Sequence, residues 1–310
     1  MPNLTFRAER QRTATPHYYA VYRPDAAADW LDRLADVYVA LRAAPRSPLH
    51  DPTLGIEVVE RANVERLLAT ATVPRLTTGD WRDIIRADLG EVLAYELLEG
   101  VYGTRIAYKL VRDRELTQFP GRGIDAIGAE PLSAGGEPMP DPPHQRTEEM
   151  EATAGAPQLT AAMPVLVEVK VSDEDASPPQ VVDTGDLSMR SQHLGHLSEW
   201  QKTMDKVWLA VRNATDPKTF EYLTQIALRL ARDKTSVFIV ACCVLVRPRL
   251  KVADTDCGTF EAKPTDYVPA RVRFLTVALP SDMEATLTDW NDAIGRAIDR
   301  RGGAGAETAA

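Results

Sequence analysis

Cysteine is scarce: the 310 residues hold three, Cys242, Cys243 and Cys257, two of them adjacent. That set makes neither a disulfide framework nor the spaced quartet of a structural zinc site, which excludes a stapled secreted scaffold and a zinc ribbon. Long apolar runs are missing too. The longest, VFIVACCVLV at 237–246, falls well short of the roughly 20 residues a membrane-spanning helix needs and reads as a buried strand. The opening residues carry no continuous apolar segment of the secretory kind, so a cytoplasmic location without membrane association is expected. There is no excess of basic charge either: 36 Lys plus Arg against 45 Asp plus Glu give a formal charge of -9. Bulk attraction to nucleic acid is excluded, leaving only a local cationic groove or binding helped by a metal or a partner. Neither a glycine-rich phosphate-cradling loop nor an internal repeat is present.

What is present is the composition of a globular chain, 44% hydrophobic and 26% charged, long enough for one large domain or two smaller ones. Residues 1–78 read as an N-terminal helical region, with helices at Asp29 to Ala43 and Val58 to Ala69 around a proline-bearing segment. Either partner docking or capping of the core fits it. A further helix starts near Thr78 and runs through WRDIIRADLGEVLAYELLEG to a glycine stop. TRIAYKLVR, GIDAIG and PVLVEVKVS follow as three strands. Between the last two, residues 129–164 hold seven prolines, three glycines, six acidic residues and no aromatic, the composition of a mobile insertion. Taking those 36 residues out of the 43-position separation of Asp125 and Glu168 leaves about seven, a hairpin distance. Helices at Gln192 to Arg212 and Pro217 to Asp233, strands at Ser236 to Val246 and Ala270 to Ala278, a helix at Met283 to Arg300 and a frayed tail at 301–310 complete the chain. The order predicts an α/β fold with a mixed sheet flanked by helices.

Chemistry concentrates on two strands. In VLVEVKVS, Glu168 and Lys170 project to one face while Val167, Val169 and Val171 project to the other. Charged groups on a central strand are costly unless paired, hydrated or bound to a metal. Asp125 and Glu168 are suited to hold Mg²⁺ through oxygen, and Lys170 to orient water or stabilise charge growing on a phosphate. An ordinary amphipathic hairpin with its charged face in water accounts for the same alternation. Weaker signals are His193 and His196 at helical spacing, read as structural or surface residues, and Gln192 and Gln201, which are placed to approach a phosphate groove. The Cys242–Cys243 pair reads as buried packing, and Arg105, Lys109, Arg112, Arg114 and Arg122, diluted by Asp113 and Glu115, as a solvated face.

GE at Gly90 and Glu91, GID at Gly123 to Asp125 and EVK at Glu168 to Lys170 resemble the PD-(D/E)XK nuclease superfamily, the restriction-endonuclease-like fold. Ile124 stands where that family commonly has proline. The resemblance covers about Gly79 to Val246 and places the nuclease-like domain at 79–300. It implies that Asp125, Glu168 and a helix glutamate hold Mg²⁺, with Mn²⁺ as a substitute, and that Lys170 assists the attacking water. Helical periodicity puts Glu96 rather than Glu91 within the core stripe of Ile85, Leu89, Val92 and Leu93; the resemblance favours Glu91, which is preferred. The chain is also similar to HamA-like effectors of Hachiman antiphage defence, which implies a DNA substrate and a helicase partner; a homo-oligomer is compatible with the sequence. The alternative is a noncatalytic nucleic-acid-binding or helicase-assembly subunit that keeps the fold.

Overall fold

The computed structural model describes residues 4–14, 17–25, 29–43, 82–113, 124–131, 162–213, 217–232 and 239–303. Its main elements are β1 (Phe6–Ala14), β2 (His17–Pro24), α1 (Trp30–Ala43), α2 (Arg82–Leu97), β3 (Arg105–Lys109), β4 (Ala126–Pro131), β5 (Ala162–Val171), α3 (Met189–Ser198), α4 (Trp200–Asn213), α5 (Pro217–Arg232), β6 (Ile239–Pro248), β7 (Ala270–Leu279) and α6 (Met283–Gly303). The strands form one sheet in the order β1-β2-β7-β6-β5-β4-β3. Its centre, β2-β7-β6-β5, is parallel, and both edges are antiparallel. This is a mixed α/β fold with a central sheet flanked by helices.

The parallel strands carry apolar side chains on both faces, as strands covered on both sides must. On β6, Val240, Cys242, Val244 and Val246 face the cluster built by α1, α2 and α6, while Ala241 and Cys243 face the opposite side. Both cysteines are fully buried, in line with the packing expected of them. On β5 the same alternation puts Val165, Val167 and Val169 under α2, and Leu166 under α4 and α5. The even-numbered face of β5, including Glu168, is therefore the one that α3 reaches.

The N-terminal region, read from the sequence as helical, needs correcting at residues 6–24, which form the β1–β2 hairpin. The run FRAERQRTA is polar for a strand, and its charges are met across the fold: Arg10 pairs with Asp254 at 2.5 Å and Arg12 with Glu261 at 2.7 Å. Strand β2 joins the sheet by pairing Tyr18 with Arg273 on β7, a contact no local pattern announces. The helix at Val58 to Ala69, the body of the proposed insertion and the last residues of the tail lie outside the described residues. Residues 129–131 and 162–164, assigned to the insertion, belong instead to paired strand ends. The helix read at Gln192 to Arg212 is two helices broken at Glu199. After α2 the chain makes a π-helical turn, Leu98–Tyr102, and stops at Gly103 in the left-handed region with φ 66, a conformation glycine adopts without a Cβ penalty.

Gly90 sets how closely α2 lies on β5. A Cβ added there would collide with a methyl of Val171 and stand 3.3 Å from Val169. Gly90→Ala is expected to cost about 1–3 kcal/mol through overpacking, measured by urea denaturation. It should weaken function beyond that loss because it lifts Glu91 away from the strand. An unchanged midpoint would mean that α2 does not rest on β5 at this point.

Candidate active site

The site forms where β5 outruns its neighbour. Strand β4 begins at Ala126, opposite Val167, so Glu168 to Val171 have no β4 partner on that side. Asp125, the residue before β4, fills the gap: its N–H donates to the Val167 carbonyl at 3.1 Å, and its Oδ2 accepts from the Val169 N–H at 2.6 Å. The carboxylate is thereby fixed beside Glu168 by the backbone of the strand that carries Glu168. On the other edge β5 pairs with β6 through Val171, opposite Val246, with Lys170 opposite Leu245. Glu168 Oε2 lies 4.0 Å from Lys170 Nζ, two residues along the same face.

Helix α2 approaches from the other side, allowed in by Gly90. Tyr95, one turn after Glu91, directs its hydroxyl at Glu91 Oε2 at 2.9 Å and at the Asp125 carbonyl at 3.1 Å. That bifurcated contact ties the helix glutamate to the start of β4. Glu96 goes elsewhere: its Oε2 accepts from the Leu4 N–H at 3.0 Å. Of the two candidates, only Glu91 lines the cleft with Asp125, Glu168 and Lys170, a cavity of about 900 Å³.

His196, expected from the sequence to be a structural or surface residue, has its Nε2 2.6 Å from Glu168 Oε1. His193, one turn earlier, is buried and packs edge-on against it. Their spacing on a helix following the motif strand was the available signal, but it does not distinguish a surface pair from a site. Gln192 lines the cleft and Gln201 is exposed. Lys109 is held by Glu99 at 2.6 Å and Arg112 by the Ala107 carbonyl at 2.5 Å; Arg114 and Arg122 lie outside the described residues. A second cavity, about 490 Å³, borders β1 and residues 253–257, with Arg10 and Arg12 already engaged by acidic partners.

The electrostatics are unusual for a salt bridge. Glu168 is 1% exposed and Asp125 8%. Burial pushes both carboxyls well above the ordinary carboxylate range; for Asp125 the charge of Glu168 adds to the rise, and Lys170 opposes it for both. The pair titrates as a unit. Burial likewise lowers His196, against the pull of Asp125, and lowers His193 to about 3, so that ring is neutral. The cleft wall carries Asp83, Glu91, Asp125, Glu168, Asp173 and Glu174 against Arg86 and Lys170. Arg86 is already bonded to Asp173 at 2.7 Å. A polyanion entering this cleft meets net negative charge unless a cation accompanies it.

Among the described residues, no group of three or more His, Cys, Asp or Glu side chains is arranged to hold a metal ion. A closed protein cage is therefore not found among them. Magnesium demands less, since it is commonly held by one or two carboxylates with water and substrate phosphate completing its shell. Asp125 and Glu168 fit that requirement: they are hard oxygen donors, buried side by side, and a cation would offset the Glu168 charge that adds to the rise at Asp125. Among the described residues, no helix is long and apolar enough to cross a membrane. No protein-family model matches the chain, and no curated protein or solved structure matches it.

Proposed function

We propose that the chain is a divalent-metal-dependent nuclease of the restriction-endonuclease-like fold, acting on DNA in antiphage defence with a helicase partner. The observation that carries this reading is the pair of buried carboxylates, Asp125 and Glu168, on adjoining strands with Lys170 on the same face in one cleft. Support for the finer fold assignment comes from the element order: α2, three antiparallel strands, helices, and a strand parallel to the third. The defence setting and the helicase rest on the resemblance of the motifs.

Asp125 and Glu168 are the residues that would hold Mg²⁺, with Glu91 braced by Tyr95 at the cleft wall as the third acid. When bound, the ion supplies Lewis-acid polarisation of the scissile phosphate and a lowered pKa for a bound water. The chain's own contribution is placement. Asp125 is locked by the Val169 N–H, Glu168 by the strand, and the Lys170 ammonium stands where it can orient the attacking water and offset charge growing on the phosphate oxygens. Hydrolysis then forms one phosphorus–oxygen bond to water and breaks one to the departing sugar oxygen, which gains a proton.

The lack of a three-donor cluster among the described residues favours a second reading, a noncatalytic nucleic-acid-binding or helicase-assembly subunit. A substrate panel separates the two: supercoiled, linear duplex and single-stranded DNA with Mg²⁺ or EDTA, with and without a co-purifying helicase. Cleavage that needs Mg²⁺ supports the nuclease. Retained DNA or helicase binding by folded protein, with no cleavage under any condition, supports the assembly subunit.

A further inference from the structure

We infer that His196 is a positioning residue for Glu168, fixing one carboxylate oxygen by hydrogen bond so that the other is presented to a divalent cation. The inference rests on the reading of Asp125 and Glu168 as cation ligands.

Glu168 has almost no contact with water, so each of its oxygens needs a partner from the protein or from a ligand. Oε1 faces His196 Nε2 at 2.6 Å, well within hydrogen-bond distance. Oε2 has Lys170 Nζ no nearer than 4.0 Å, beyond hydrogen-bond reach. Glu168 also shares a side-chain hydrogen bond with Asp125, so the carboxylate is held by His196 on one side and turned to Asp125 on the other, the contact a shared cation would replace, as expected of a ligand with an outer partner.

The imidazole is itself held in place. Helix α3 starts at Ser188, whose side chain accepts from the Ser191 N–H at 3.3 Å and donates to the Gly185 carbonyl at 2.8 Å. Met189 and His193 form the buried side of that helix, and His196, seven residues after Met189, lies on the same side. His193 meets His196 edge-on at 6.2 Å and 88°, and meets Phe260 at 6.2 Å and 89°. Its Nε2 lies 3.2 Å from the Cys242 carbonyl oxygen on β6. The main chain of His196 is pinned as well, its carbonyl accepting from Thr203 Oγ1 at 2.8 Å. Two rings and two helices thus fix a donor that touches Glu168, a degree of support that a chance surface contact does not have.

Loss of such an outer partner typically costs about 10–100-fold in metal affinity or activity. The test is isothermal titration of Mg²⁺ and of Mn²⁺ into wild type, His196→Phe and His196→Gln, with a thermal melt of each. His196→Phe keeps a ring against His193 but has no donor; His196→Gln keeps an N–H at the same reach. The expected result is affinity lowered about 10–100-fold in His196→Phe and restored to within a few-fold of wild type in His196→Gln. Equal affinity in wild type and a folded His196→Phe would overturn the inference while leaving the cation site intact. No heat of binding from wild type with either ion would overturn the site reading itself. If His196→Phe does not fold, His196→Met, which lacks both the bulk and the donor, takes its place with the same two outcomes.

Discussion

Asp125→Asn is expected to melt above wild type in EDTA at about pH 7.5, and to gain nothing from added Mg²⁺. The cause is the burial of two carboxyls, with the charge of Glu168 adding to the cost of ionising Asp125. Asparagine keeps an oxygen to accept from the Val169 N–H, now 2.6 Å from Asp125 Oδ2, so the local fold is retained. The sign follows from linkage. The folded pair binds a proton more tightly than the unfolded carboxyls do, so its stabilising contribution is complete below the unfolded pKa near 4 and is lost as pH rises through the folded one. Between those limits chelated wild type should lose about 1.4 kcal/mol per pH unit for each proton retained, and the variant should show a flatter profile. Magnesium removes the penalty in wild type. At a concentration about 100 times its dissociation constant it adds roughly 2.7 kcal/mol. Scanning calorimetry across pH, with and without Mg²⁺, checks both parts. A variant less stable than wild type in EDTA, or equally stabilised by Mg²⁺, would count against a shared cation site.

Lys170→Ala should reduce turnover by about 10²–10³-fold while sparing Mg²⁺ binding and stability. Charge placed against a transition state in a water-poor cleft is worth roughly 3–4 kcal/mol, which sets that figure. Lys170 is partly exposed and 4.0 Å from its nearest carboxylate oxygen, so it contributes little to folding. Single-turnover kinetics at saturating Mg²⁺, beside calorimetric titration of the ion, separates chemistry from binding. Loss of ion binding in step with turnover would make Lys170 a structural charge. Together with Asp125→Asn this variant divides the site into a group that holds the cation and a group that serves the reaction.

The readable parts of this molecule are those set by short-range rules. Alternation along VLVEVKVS predicts that Glu168 and Lys170 share a face with valines behind them, and the structure places Val167 and Val169 in the core under α2. Subtracting the proline-rich segment predicts that Asp125 and Glu168 are hairpin neighbours, and β4 pairs directly with β5. The unreadable parts depend on partners far along the chain. Helical periodicity favours Glu96 over Glu91 by assuming a single core stripe, whereas α2 is covered nearly all round and both glutamates are buried. What separates them is Leu4, which supplies an N–H to Glu96, and Tyr95, which turns to Glu91. Strand β2 was missed for the same reason, since its pairing lies with β7. The sequence leaves His196 outside the site because a histidine on a polar helix face looks the same whether it meets water or a buried carboxylate.

Cleavage by wild type and Lys170→Ala, side by side, on whichever DNA the wild type binds, tests the central claim most directly. With Mg²⁺ present, wild type should convert supercoiled or linear DNA to shorter products, and EDTA or the substitution should stop it. Cleavage that persists undiminished in Lys170→Ala or in EDTA would contradict the account, because it would place the chemistry outside the cleft formed by Asp125, Glu168 and Lys170.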